Sequence, residues 1–437
     1  MTNCIPLSYQ FSKIKNRQIE INFTGGEISS DGGLLLLREA DRKLGLTDSL
    51  AGLFPDKRDP DRITHSTLTM LKQRIYGIAL GYEDLNDHDK LRKCPALQTA
   101  SDRLEDMASS ATLCRFENGV DRNFIVEAHV TIIDKFIESF ATPPKELILD
   151  FDATDDEVHG HQEGRFYHGY YRHHCFLPLY VFCNKKLLVS YLRTSNQDQA
   201  KHAWAILAIL VKRFRRSWPG VEIIFRGDSG FCRHMMLDWC DKHGIKYIVG
   251  QAQNGRLNKL LESTMEQAKE GYKVSGEKQR YFTEFLYKAG SWRHERKVIG
   301  KAEVTQLGEN PRYVVTNLEG NSADLYEKMY CARGNMENRI KEQQLELFAD
   351  RTSCHKWWPN QFRMVLSSLA YILVEYIRDK FLLGTELAAA QVGTIRLKLF
   401  KIGAIIIRNT RRVRFLLSSS YPYQHLWGII AKKLALE

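Results

Sequence analysis

Residues 146–157 read ELILDFDATDDE. Leu147, Ile148 and Leu149 form an apolar, strand-like run, and five acids follow between Asp150 and Glu157. Acids are disfavoured in strands by up to about 1 kcal/mol each. The chain as a whole carries a net charge of +11. A strand ending in concentrated negative charge, inside a basic protein, needs a chemical reason.

Outward from this stretch, the pattern differs on its two sides. Upstream, Pro143-Pro144 breaks the chain, and residues 1–142 read as mostly helical. The segments at 32–46, 63–93 and 120–141 space their apolar residues at helical intervals, as in Leu68, Leu71, Ile75, Ile78 and Ala79. A helix-turn-helix would fit residues 64–91, although no signal selects its recognition helix. Downstream the pattern is β-β-β-α-β-α-β: three strands in succession, two of them around Asn184-Lys185, then alternation. This predicts an α/β protein with a mixed sheet rather than a doubly wound one. After a short helix, three strand-like runs between 281 and 318 read as a β-rich insertion. Helices resume at 323–348 and 361–381, and Gln391–Glu437 is strongly basic.

In a β-β-β-α-β order the first and fourth strands are usual sheet neighbours. Asp152 ends the first and Asp228, in IIFRGDSGF, ends the fourth. Two carboxylates so placed repel one another unless one is protonated or a cation lies between them. Oxygen ligands at strand tips suit Mg²⁺. Asp150 lies two residues earlier on the same strand face, and the pattern alone does not choose between it and Asp152. Farther on, Tyr330, Arg333, Glu337 and Lys341 are spaced 3, 4 and 4, which puts them on one helix face. Such a face can supply a third carboxylate and two cations for phosphate. Each residue taken singly reads more readily as a turn former or a surface ion pair; the set of three acids in this order does not.

Three blocks, LILDFDATDDEVHGHQEG, IIFRGDSGF and YCARGNMENRIKEQ, resemble the catalytic blocks of DDE insertion-sequence transposases with an RNase H-like core. Tyr330-Cys-Ala-Arg333-Gly-Asn-Met-Glu337 matches the Tyr-x2-Arg-x3-Glu signature of bacterial cut-and-paste elements. That signature next has Lys seven positions on, where this chain has Gln344; Lys341 comes three positions early. HGHQEG, FLPLY and the N-terminal GGLLLLREADRKLGL resemble the IS thirteen-eighty group, so the likeness extends over nearly the whole chain. The resemblance implies a catalytic, metal-binding triad of Asp152, Asp228 and Glu337, with two Mg²⁺ that Mn²⁺ can replace. It also implies DNA contacts through Tyr330, Arg333 and Lys341, and an insertion between the second and third acids. In related transposases an aromatic of that insertion stacks on a flipped base. Trp292 is the candidate here, with core packing as its alternative.

The implied organisation is a helical N-terminal end-binding region at 1–142, an RNase H-like core at 143–249 and 321–383, a β-rich insertion at 250–320, and a helical, basic C-terminal region at 384–437. Arg408, Arg411, Arg412 and Arg414 are candidate phosphate contacts. The basic excess of 63 Lys+Arg over 52 Asp+Glu fits a polyanionic partner, most commonly nucleic acid, and the resemblance implies double-stranded DNA, both element ends and target. The family acts as a synaptic homodimer. No apolar leader, no 18-residue apolar run and nine cysteines without CxxC spacing predict a cytoplasmic protein without membrane contact, and the resemblance implies a bacterial, nucleoid-associated one. Six His and Cys residues crowd 159–175, without the spacing of a zinc set. The function implied is cut-and-paste DNA transposition. Its competitors are an RNase H-like structure-specific nuclease and a non-catalytic DNA-binding relative of a transposase; inverted repeats flanking the gene would separate transposase from nuclease.

Overall fold

The structure, a computed structural model, describes residues 8–435; the extreme ends of the terminal regions read above lie outside the described residues. The chain divides into two compact units. One is Val120–Ser368, and the other joins Met1–Gly119 to Leu369–Glu437.

The Val120–Ser368 unit is built on one mixed sheet. Its strands are β1 (Glu146–Ala153), β2 (Leu179–Cys183) and β3 (Lys186–Tyr191), then, after helix α1 (Ala203–Ser217), β4 (Glu222–Gly227). Helix α2 (His234–Lys242), β5 (Lys246–Gln251) and helix α3 (Gly255–Ser275) follow. The chain then runs through β6 (Gln279–Tyr287), β7 (Arg296–Thr305) and β8 (Arg312–Thr316). The order across the sheet is β6-β7-β8-β5-β4-β1-β2-β3, with Gly308–Glu309 paired off β7. β1 and β4 are parallel neighbours, with Phe151 opposite Gly227. This is the pairing that the strand order implied. β2 and β3 form a hairpin whose turn residue Asn184 adopts φ 56°, a conformation Asn tolerates in such two-residue turns.

Strand alternation explains why acids occupy a buried strand. Leu147, Leu149, Phe151 and Ala153 join the main core, together with α1 residues such as Leu207 and Phe214 and α2 residue Leu237. Burial of one such side chain contributes about 1.5–3 kcal/mol. Ile148, Asp150 and Asp152 alternate with them and belong to the opposite face. There a smaller apolar cluster joins Ile224, Ile248 and Val314 to Leu325 and Tyr326, with Met329 and Tyr330 packed on it. The segment carrying the third acid therefore covers the face on which Asp150 and Asp152 emerge.

Three details differ from the sequence reading. The strands of the β-rich stretch between 279 and 316 extend the main sheet, β8 pairing antiparallel with β5, a pairing the local pattern does not give. The helix before them is long, at 21 residues, because Leu257, Leu261, Met265 and Ala268 recur at helical spacing and are all buried. Between β1 and β2 lies a small sheet, Asp156–Glu157, His173–Phe176 and Phe166–His168, that was not foreseen.

In the second unit, helix Thr67–Ala79 starts at an N-cap, Ser66, that accepts from Thr69 N. It is buried nearly all round: Lys72 is paired with Asp102 at 2.7 Å and Arg74 with Glu117 at 2.7 Å. It therefore presents no free face to serve as a recognition helix. Tyr9–Ile14 and Arg17–Ile21 form a hairpin ahead of the helices. The C-terminal region is not simply helical. Ala404–Arg408 and Val413–Leu417 pair as strands, and Ala404–Ile405 also pair with Ile28–Ser29. The run Ala-Ile-Ile-Ile-Arg is β-branched and alternates buried with exposed, which favours a strand over a helix. A helix, Gln424–Ala435, follows.

Candidate active site

Asp152 lies one residue from the end of β1, and Asp228 directly follows β4. Because β1 and β4 are parallel and in register, both carboxylates stand at the same, C-terminal, end of these adjacent strands. Asp228 caps the short turn Ser229–Phe231, its Oδ1 accepting from Gly230 N at 2.9 Å. The Gln199 side-chain amide also donates to Asp228, at 3.4 Å to Oδ1 and 3.2 Å to Oδ2.

The helical segment after β8 brings the remaining groups. Leu325–Tyr330 is a π turn, Cys331–Arg333 a 3₁₀ turn, and α4 (Gly334–Lys341) an α-helix followed by a second π turn at Glu342–Glu346. Wide turns of this kind often mark functional segments. Arg333 spans the site. One guanidinium nitrogen donates to Asp152 Oδ2 at 3.1 Å and another to Glu337 Oε1 at 2.7 Å. Tyr330 packs on Tyr326 with ring centroids 5.5 Å apart. Its hydroxyl lies over Gly250 of β5, where a Cβ would stand 2.6 Å from it. Beside it opens a cleft of about 400 Å³, lined by Ser229, Gln251, Arg312, Tyr313 and Tyr330 among others.

Burial pushes the Asp152 carboxyl up to about 7. Arg333 opposes this, whereas Asp228 and Glu337 add to it. Burial likewise raises the Tyr330 phenol, against the pull of Arg333. The charge balance is one guanidinium against three acids. Hard carboxylate oxygens of this kind suit a divalent cation, but Asp152 is buried and Glu337 exposed, their oxygens and those of Asp228 do not all lie within 4.8 Å of one another, and Arg333 stands between Asp152 and Glu337.

The fate of each other candidate is plain from the geometry. Asp150 is 2% exposed and its two oxygens are engaged by Arg226, one of these contacts at 2.7 Å. Arg226 also donates to the Met329 carbonyl, tying β4 to the segment that carries Tyr330 and Arg333. A charged residue inside the apolar run IIF-R-G was the available signal for this pair, and sequence reasoning passed over it. For Gln199 there was no signal. Lys341 is exposed at the end of α4. Gln344 instead donates to the Asp155 carbonyl at 2.8 Å and holds the loop beyond Asp152.

Trp292 is 5% exposed, packed edge-on against Tyr287, with the Arg296 guanidinium 5.2 Å from its ring. It is a core residue with no free face on which a base could stack. Arg411, Arg412 and Arg414 are exposed, but Arg408 is bound to Glu27 and donates to Gln98 Oε1 at 2.9 Å. The histidines of 159–174 do not gather. Among the described residues, the one trio of ligand types within 4.8 Å is Asp238, Asp241 and His294. Arg296 already donates to both of those aspartates, at 2.6 and 2.8 Å, so that cluster is an ion-paired one.

Residues 11–436 match the family model of the transposase DDE domain, group 1. The chain belongs to this family. Its activity class is thus DNA transposition, and transposases of the DDE class work with divalent metal ions. No curated protein matches the chain significantly. Among solved structures, the transposase is similar to a piggyBac transposase synaptic complex with hairpin DNA. The identity is 10%, with 92% of this chain and 81% of that chain covered and a TM-score of 0.46, a likeness too slight to bear on the site. No helix of the transposase among the described residues is long and apolar enough to cross a membrane.

Proposed function

We propose that this transposase binds the terminal inverted repeats of a bacterial insertion sequence and cuts and rejoins DNA there, using Asp152, Asp228 and Glu337. One observation carries the reading: two acids stand at the tips of adjacent parallel strands, and a single arginine links one of them to a third acid on a helix. The order β3-β2-β1-β4-β5, with β2 alone running against the other four strands, supports an RNase H-like core. Asp152, Asp228 and Glu337 would hold Mg²⁺, two ions in all, with Mn²⁺ as substitute. Bound there, the metal supplies an activated oxygen nucleophile and a stabilised leaving oxygen.

The remaining steps belong to the chain itself. Arg333 offers a planar fork and Lys341 a point charge to the phosphate beside the acids. Tyr330 positions the DNA end at the cleft it lines. The N-terminal region, 1–142, reads the ends. Residues 250–320 clamp the opened end, and exposed arginines of the C-terminal region hold backbone phosphates. A homodimer brings two ends together, in the cytoplasm at the nucleoid.

The test is cleavage of element-end DNA by Asp152→Ala, Asp228→Ala and Glu337→Ala, with end binding measured in parallel. Cleavage should fall by at least ~10³-fold in each, while affinity, which rests on phosphate contacts elsewhere, stays within about twofold. Asp150→Ala should instead lose folded protein, because it leaves Arg226 buried without its partner. Retained cutting by Asp152→Ala alongside a well-folded, inactive Asp150→Ala would overturn the assignment.

A further inference from the structure

Gln199 belongs to none of the sequence blocks, yet the loop after β3 is built around delivering it. Arg193 is 3% exposed and donates to three carbonyls: Leu177 at 2.9 Å, Gln199 at 2.7 Å and Lys201 at 2.9 Å. One guanidinium thus fixes the backbone on both sides of Ala200. Asp198 adds two anchors, accepting from Ala200 N at 2.9 Å and pairing with Arg233 at 2.8 Å. Arg233 lies just past the turn that Asp228 caps, so the loop is fastened to the same segment as the acid.

The side chain itself fits tightly. A Cβ at Gly230 would stand 2.1 Å from Gln199 Oε1 and 2.4 Å from its amide carbon. Only glycine at 230 leaves room for the amide to reach Asp228. The same Gly230 supplies the backbone N–H that holds Asp228 Oδ1. The Asp228 carboxylate is therefore gripped from two sides, by a backbone N–H and by a neutral side-chain amide that contacts both oxygens.

We infer that Gln199 is a positioning residue for metal binding: its amide orients the Asp228 carboxylate toward the cation without adding charge to the cluster. The inference rests on the functional reading above. A neutral donor suits this task. Lysine or arginine in its place would compete with the cation for the carboxylate, and an acid would repel it. Groups that orient a metal-binding carboxylate commonly change metal affinity by about 10- to 100-fold when removed.

The test is Mn²⁺ binding to the full chain, read by the loss of the free-ion paramagnetic resonance signal, for the wild type, Gln199→Ala, Ser195→Ala and Asp228→Ala. Ser195 is in the same loop, but its hydroxyl donates to the Phe166 carbonyl at 2.9 Å, away from the acid. Gln199→Ala should weaken Mn²⁺ binding by about 10-fold or more. Its melting temperature should match the wild type, and saturating Mn²⁺ should restore most of its cleavage. Ser195→Ala should bind as the wild type does. Wild-type Mn²⁺ affinity in Gln199→Ala, alongside a clear loss in Asp228→Ala, would overturn the inference and leave the functional reading standing. Equal weakening by Ser195→Ala would also overturn it, because the loop and not the amide would then be responsible. Undiminished Mn²⁺ binding in Asp228→Ala would instead strike at the functional reading itself.

Discussion

Asp152 and Arg333 carry opposite charges into a place with little water. The carboxyl, raised to about 7 chiefly by burial, holds its proton more tightly in the folded chain than in the unfolded one. The stability linked to that proton is full at low pH and is lost as pH rises through 7. Asp152→Asn has no proton to lose. In the presence of a chelator it should therefore be more stable than the wild type at pH 8, by about 2–4 kcal/mol. The gain should shrink as the pH is lowered to 5, as thermal melts at the two values would show. Arg333 contributes geometry as well as charge, reaching Asp152 and Glu337 with separate nitrogens. Lysine keeps the charge but cannot span both. Arg333→Lys should cost about 10- to 100-fold in single-turnover cleavage of bound end DNA, and a loss under twofold would show that charge alone suffices.

Among the elements, β1, β4 and the segment from Leu325 to Glu346 decide the site. Their existence was legible: LILDF and EIIFRG are short apolar runs, and the tyrosine-to-glutamate spacing marks a helix. Which of two acids on one strand face meets Arg333, and which is taken by Arg226, was not legible. It depends on Arg226, a residue of a neighbouring strand, and sheet register is set by tertiary packing. Trp292 shows the same limit, since an aromatic between Ser291 and Arg293 reads alike whether buried or exposed. So does the run at 279–316, where strands can be recognised locally while their partner, β5, cannot. Lys341 and Gln344 belong to this scale too, on either side of the change from α4 to a π turn. Gln344→Ala removes one hydrogen bond to the Asp155 carbonyl and should lower stability by about 1 kcal/mol. Lys341→Ala, at an exposed position, should leave stability within about 0.5 kcal/mol and lower cleavage more than Gln344→Ala does. Melting and single-turnover cutting on the two variants separate these effects, and the reverse order would show that Gln344 fills the role of the family's lysine.

At the scale of the molecule, the basic excess is divided between structural and free arginines. Arg408 is committed to Glu27, Gln98 and the Leu104 carbonyl. Arg408→Ala should therefore lower the stability of its unit by about 1 kcal/mol, since the ion pair is partly exposed. Neutralising Arg411, Arg412 and Arg414 should leave stability alone. It should weaken binding to specific and random DNA alike, and flatten the slope of log affinity against log salt by about one for each arginine that meets a phosphate. A loss confined to the specific sequence would assign these residues to base reading instead.

The pairing of Ala404–Ile405 with Ile28–Ser29 also sets an order of events at the ribosome. Synthesis at ~5–20 residues per second separates the two strands by roughly 20–75 s. In that interval the whole of Val120–Ser368, with its sheet and its acids, is synthesised, while the unit begun before it still waits for the strands Ala404–Arg408 and Val413–Leu417. A message broken between codons 369 and 404 would thus yield a chain with all three of the proposed site carboxylates and no closed companion unit. Closure of that companion therefore follows synthesis of the sheet that bears the acids.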